Sequence, residues 1–152
     1  MTDTVVIQDD ELLIERIFEA PRELLFSVWT QPQHLLNWWS PKAFTPLSIT
    51  HALEVGGTYR YGVLSPDGNE VWMTGMFQEI VPNEKIVMTF RWENGAFDVD
   101  NLITVTFLPL ASGRTLVRFR QTPFKTLEGR DAHVGGWNGV LDKLAAYLET
   151  VQ

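Results

Sequence analysis

Residues 127–150 read LEGRDAHVGGWNGVLDKLAAYLET, the longest stretch of the chain with helical spacing. Trp137, Val140, Leu141, Leu144, Tyr147 and Leu148, with Val151 just beyond, recur every three or four positions, while Asp142, Lys143 and Glu149 fall opposite. One broad apolar face of this kind must dock on another apolar surface. The start of the helix is less defined. Gly135, Gly136 and Gly139 each cost about 0.5 to 1 kcal/mol relative to alanine in a helix interior. Either the helix begins near Gly136 and the earlier glycines are loop, or it begins near Leu127 or Arg130. In the second case the missing side chains leave room for close backbone packing or for a ligand, and Trp137 is a large wall beside a thin one.

The partner surface lies upstream, where the period is two. Leu12 to Phe18 is partly alternating and ends at Ala20 and Pro21. Pro21 suits the first turn of a helix carrying Leu24, Leu25, Val28 and Trp29, with Glu23 near the positive end of its dipole. Pro32 breaks that helix and opens a shorter one through His34, Leu35, Leu36, Trp38 and Trp39, which Pro41 stops. Strand patterns follow at Leu47 to His51, Thr58 to Leu64, Val71 to Val81, Lys85 to Trp92, Asn101 to Leu108 and Thr115 to Gln121. Between them stand turn residues such as Gly56 and Gly57, or Pro66, Asp67 and Gly68. About seven strands joined by hairpin-length connections predict an antiparallel meander, and a helix laid across it makes an α+β domain.

At 152 residues the chain is expected to be one domain, residues 1–152, with residues 1–10 a loosely ordered lead-in. A hydrophobic content of 45% suffices for a core without staples. The absence of cysteine excludes disulfides, thiol nucleophiles and thiolate metal sites. A net charge of -7 has the wrong sign for a nucleic-acid backbone. No apolar segment of membrane-spanning length is present, and Asp3, Asp9 and Asp10 stand where a signal peptide would be basic, so a cytoplasmic location is expected. Aromatic residues make up 12% of the chain, more than patterning requires. They form either core or a cavity wall.

The run Phe18, Glu19, Ala20, Pro21, Arg22, Glu23, Leu24, Leu25, Phe26, then Val28, Trp29, Thr30, Gln31, Pro32 and Leu35, then Trp38 to Phe44, resembles the opening of bacterial proteins similar to the activator of the heat-shock-protein-90 ATPase, in the START-like or SRPBCC superfamily. Further stretches match in order: Gly56 to Arg60; Pro66, Asp67 and Gly68; Gly75 with Glu79 and Pro82; and His133, Gly136, Trp137, Leu141, Leu144, Tyr147 and Leu148. The match covers nearly the whole chain, with Ser40 where glycine is commoner. The resemblance implies a helix-grip fold, in which a curved antiparallel sheet wraps the long C-terminal helix and leaves a deep apolar cavity. Related folds carry lipids, bind hormones, cyclise polyketides or assist a chaperone, so it constrains the site more than the reaction.

His34, His51 and His133 are too dispersed for a metal-ligand spacing, no GxSxG elbow exists, and Gly56 and Gly57 precede a strand rather than a helix. No metal or cofactor is expected. His133 lies four residues before Trp137, on the same helical face, and is the one candidate general acid or base; its plainer role is a local hydrogen bond in the first turn. Asp98 and Asp100 flank a loop near Phe97 that forms either a lid or a solvated hairpin. Arg114, Arg118 and Arg120 share a strand face and are expected to pair with acidic residues across the sheet. The leading reading is a binding protein for a small apolar ligand, aromatic, acyl or polyketide-like, lined by Trp38, Trp39, Phe44, Tyr59, Tyr61, Trp72, Trp92, Trp137, Val140 and Leu141. A cyclase or dehydratase using His133, and a chaperone ATPase cofactor, are the alternatives, and a homodimer is held beside the monomer.

Overall fold

The computed structural model describes residues 10–152. The expected N-terminal lead-in falls on residues 1–9, outside the described residues, and Asp10 is tied down, its carbonyl accepting from the Phe124 amide at 2.8 Å. Strand β1 (Leu12–Phe18) is followed by helices α1 (Arg22–Thr30) and α2 (Pro32–Leu35). Strands β2 (Thr45–His51), β3 (Thr58–Leu64), β4 (Glu70–Val81), β5 (Lys85–Trp92), β6 (Asp100–Pro109) and β7 (Thr115–Thr122) then run as a meander, and helix α3 (Leu127–Thr150) ends the chain. All seven strands form one antiparallel sheet in the order β1-β7-β6-β5-β4-β3-β2. The sheet is curved and open, and α3 packs in its grip, as the resemblance implies.

Alternation decides the two faces. Tyr59, Tyr61 and Val63 of β3, Met73 of β4, Met88 and Phe90 of β5, Ile103, Val105 and Phe107 of β6, and Val117 and Phe119 of β7 are all buried under the helices. The outer face carries the expected ion pairs, Arg118 with Glu15 at 2.7 Å and Arg120 with Glu11 at 2.7 Å, while Arg114 stands 4.0 Å from Glu19. Exposed pairs of this kind contribute at most about 1 kcal/mol each, so the inner face holds the fold.

One open alternative is decided, for the start near Leu127, and two expectations need correction. Helix α3 does not wait for Gly136: Thr126 caps it, its hydroxyl accepting from the Gly129 amide at 3.0 Å, so all three central glycines are helical. Helix α2 stops at Leu35; Trp38 ends the turn that follows, and Trp39 lies just beyond it. Pro21 is the residue before α1 rather than within its first turn.

Candidate functional site

Along α3 the apolar face divides into two stripes. Leu141, Leu144 and Leu148 are buried and close the core. Ala132, His133, Gly136, Trp137 and Val140, spaced so that 132, 136 and 140 stack, open instead on a cavity of about 320 Å³. Val63 of β3, Val71 and Met73 of β4 and Trp92 of β5 form the sheet side. Trp39, Ser40, Pro41 and Phe44 supply one end, and Ala96 and Phe97, from a single 3-10 turn after β5, supply the other. Phe97 is 47% exposed, so the Phe97 side is a mouth. Phe97 has φ 56° and Asp98 φ 52°, a left-handed conformation that non-glycine residues rarely adopt, and a Lys125–Asp98 ion pair at 2.9 Å holds this turn.

The three α3 glycines have different uses. A Cβ on Gly139 would meet the backbone nitrogen of Lys42 at 3.1 Å, so this glycine admits the 40–44 segment against the helix. A Cβ on Gly136 would meet nothing within 4 Å, and that open space belongs to the cavity. Gly135 also has nothing near it and stands on the exposed side. The 40–44 segment is fastened by Lys143, whose ammonium donates to Ser40 Oγ (2.6 Å), the Pro41 carbonyl (2.9 Å) and the Phe44 carbonyl (2.6 Å). Burial lowers the pKa of this lysine.

His133 is buried in a collar of Phe90, Trp92, Phe97 and Phe124. Its Nδ1 donates to the Gly129 carbonyl at 2.7 Å and its Nε2 accepts the Trp92 indole N–H at 2.9 Å, an arrangement that requires the neutral imidazole. Burial holds its pKa below the ordinary imidazole value, against the opposing pull of the Gly129 bond. The local hydrogen bond is as expected, although His133 sits in the second turn of α3 rather than the first. Trp137 donates to Gln121 Oε1 at 2.7 Å, Gln121 donates to Asn101 Oδ1 at 3.0 Å, and Asn101 donates to the Pro123 carbonyl at 3.1 Å. Trp39 donates to the Met73 sulfur at 3.3 Å and packs on Trp137 with ring centroids 5.3 Å apart.

Of the residues expected to line a ligand site, Trp39, Phe44, Trp92, Trp137 and Val140 meet around this cavity, with His133. Trp38, Tyr59, Tyr61, Trp72 and Leu141 do not. Trp38 is core, its N–H on the Val28 carbonyl at 3.1 Å. Tyr59 donates to the Thr89 carbonyl at 2.6 Å, and Tyr61 is bonded to His51 at 2.6 Å beside a much smaller void. Burial raises the pKa of both tyrosines, so both stay neutral. Trp72 points outward: it lies across Gly62, under the Arg60 guanidinium 3.8 Å from its ring centre, and donates to Glu70 at 3.2 Å. Val71 and Met73, in the other phase of the same strand, are the inward pair. Val63 and Gly136 carried a usable signal, since Val63 shares the phase of Tyr61 and Gly136 lies four before Val140. Ser40, Ala96 and Ala132 carried none, being small residues whose importance is positional. Phe97 reads from sequence only as part of a loop.

No group of three or more metal-capable side chains exists among the described residues, and none of their helices is long and apolar enough to cross a membrane. The profile of a family described as activator of Hsp90 ATPase homolog 1-like protein matches residues 19–149. No curated protein matches the sequence. Solved structures with the same fold include a protein of Chromobacterium violaceum, with 27% identity, a TM-score of 0.80, and 90% of this chain and 95% of that one covered. An AHSA1 protein of Silicibacter pomeroyi shows 22% identity and a TM-score of 0.81 over 93% of this chain and 99% of the other. A protein of Nitrosomonas europaea shows 21% identity and a TM-score of 0.79 over 93% and 96%.

Proposed function

The chain belongs to the family of activator of Hsp90 ATPase homolog 1-like proteins, and on that footing we propose that it binds a small apolar molecule, ring-containing or acyl, in the cavity between α3 and the sheet. The observation that carries this reading is the cavity itself: about 320 Å³ lined almost wholly by carbon, with a helical glycine, Gly136, on its wall. A ligand burying on the order of 400 Å² gains roughly 10 kcal/mol, and at least about 4 is lost with its freedom, which leaves at most about 6 kcal/mol, a dissociation constant of tens of micromolar or weaker.

Native mass spectrometry of freshly purified protein is expected to show added mass that denaturation releases. Trp39, Trp92 and Trp137 line the site, so binding should also change tryptophan emission. A chain that carries no extra mass and answers to no member of a hydrophobic library would end this reading.

A cyclase-type reaction is less well supported. His133 reaches the cavity, yet both its ring nitrogens are engaged and no carboxylate among the described residues lines the wall. Proton transfer would first have to break the Trp92 bond. The family description also points to a chaperone ATPase, and ATPase rates measured with and without this protein test that.

A further inference from the structure

Charged residues are 20% of the chain, yet among the described residues no aspartate, glutamate, lysine or arginine lines the cavity. Its two polar side chains other than indoles are Ser40 and His133. Ser40 Oγ donates to the Phe44 carbonyl at 3.1 Å and accepts from Lys143, and His133 is engaged at both nitrogens. The Trp137 N–H is held by Gln121 and the Trp39 N–H by Met73. Lys143, the cation fastening the wall, has three N–H groups and three neutral acceptors on them. Among the described residues no buried side-chain nitrogen or oxygen lacks a partner.

An ionised group carried past the mouth into this space would lose its hydration and find, among the described side chains, neither a counter-charge in the lining nor an unpartnered buried donor. An uncharged ring suffers no such loss and meets the faces and edges of Trp39, Trp92 and Trp137. Resting on the binding reading above, we propose that the cavity selects by charge: it takes a neutral ring-containing molecule and rejects the ionised form of the same skeleton, so that a weak aromatic acid enters only when protonated.

Naphthalene-2-carboxamide and naphthalene-2-carboxylate have nearly the same shape and differ in charge. Titrated into the full chain at pH 7.5, followed by calorimetry and tryptophan emission, the amide is expected to bind on the order of a thousandfold more tightly, since an ordinary carboxylic acid is only about one part in a thousand protonated there. Carboxylate affinity should rise about tenfold per pH unit between 7.5 and 6.5, with its protonated fraction, while the amide serves as control for His133, the one titratable side chain among the described lining residues. Equal or tighter carboxylate binding, or a carboxylate affinity indifferent to pH, would overturn charge selection and leave the binding reading standing. No signal from the amide, the carboxylate or 2-methylnaphthalene would overturn this inference, while the binding reading is decided separately by native mass spectrometry and the hydrophobic library. Gly136→Met and Gly136→Phe place a side chain in the open space beside the cavity, and both should abolish amide binding. Unchanged binding in both would place the ligand elsewhere and overturn the inference.

Discussion

At Gly136 and Gly139 the same residue type has opposite consequences. A methyl group on Gly136 enters open space, so Gly136→Ala removes only the helical penalty and should raise stability by about 0.5 to 1 kcal/mol. On Gly139 it presses on the Lys42 backbone at 3.1 Å, which cannot swing aside as a side chain would, so Gly139→Ala should be the less stable of the two in urea unfolding. His133 and His51 give a pH signature. Burial holds both below the ordinary imidazole value, against backbone hydrogen bonds that act the other way. The unfolded chain therefore binds protons first as pH falls. Stability is full above about 6.5 and declines below it, by at most about 1.4 kcal/mol per pH unit for each histidine. His133→Gln should reduce the drop between pH 7.5 and 5.5; an undiminished drop would remove His133 from this account.

Among the elements, α3 organises the site by presenting different chemistry on successive stripes: a glycine and a lysine to the 40–44 segment, an indole and a missing side chain to the cavity, leucines to the core. Lys143 joins two elements 99 to 103 residues apart in sequence through its three bonds to Ser40, Pro41 and Phe44. Lys143→Met keeps the aliphatic stem and deletes those bonds, which should cost about 1 to 3 kcal/mol. It should also speed amide hydrogen exchange at Phe44, whose N–H is bonded to the Pro41 carbonyl at 2.9 Å. A variant with unchanged exchange there would mean that the segment is held by packing alone. Strand β4 shows why element-level reading fell short: Trp72, the bulkier residue, suggested one inward phase, and the strand took the other because Arg60, Gly62 and Glu70 give the indole a complete outer-face environment.

For the whole molecule, ligand binding and folding are linked. A ligand at about 100 times its dissociation constant stabilises by about 2.7 kcal/mol, which for a domain of this size is a rise in Tm of roughly 5 to 10 °C. Thermal scans with the naphthalene amide should show that rise in the natural chain and none in Gly136→Phe. The strands, their order along the chain, the long helix and its docking on the sheet were legible in the sequence, because periods of 2 and 3.6 and the turn chemistry of Gly, Pro, Asn and Asp are local properties. The antiparallel topology followed from connections too short to cross over. The cavity was legible only in part. Trp39, Phe44, Trp92, Trp137 and Val140 could be proposed from spacing and resemblance, but a void is bounded by side chains from segments far apart in sequence. Which of two apolar strand phases faces inward, and which glycine is filled by a neighbour rather than left open, is decided when those segments pack together.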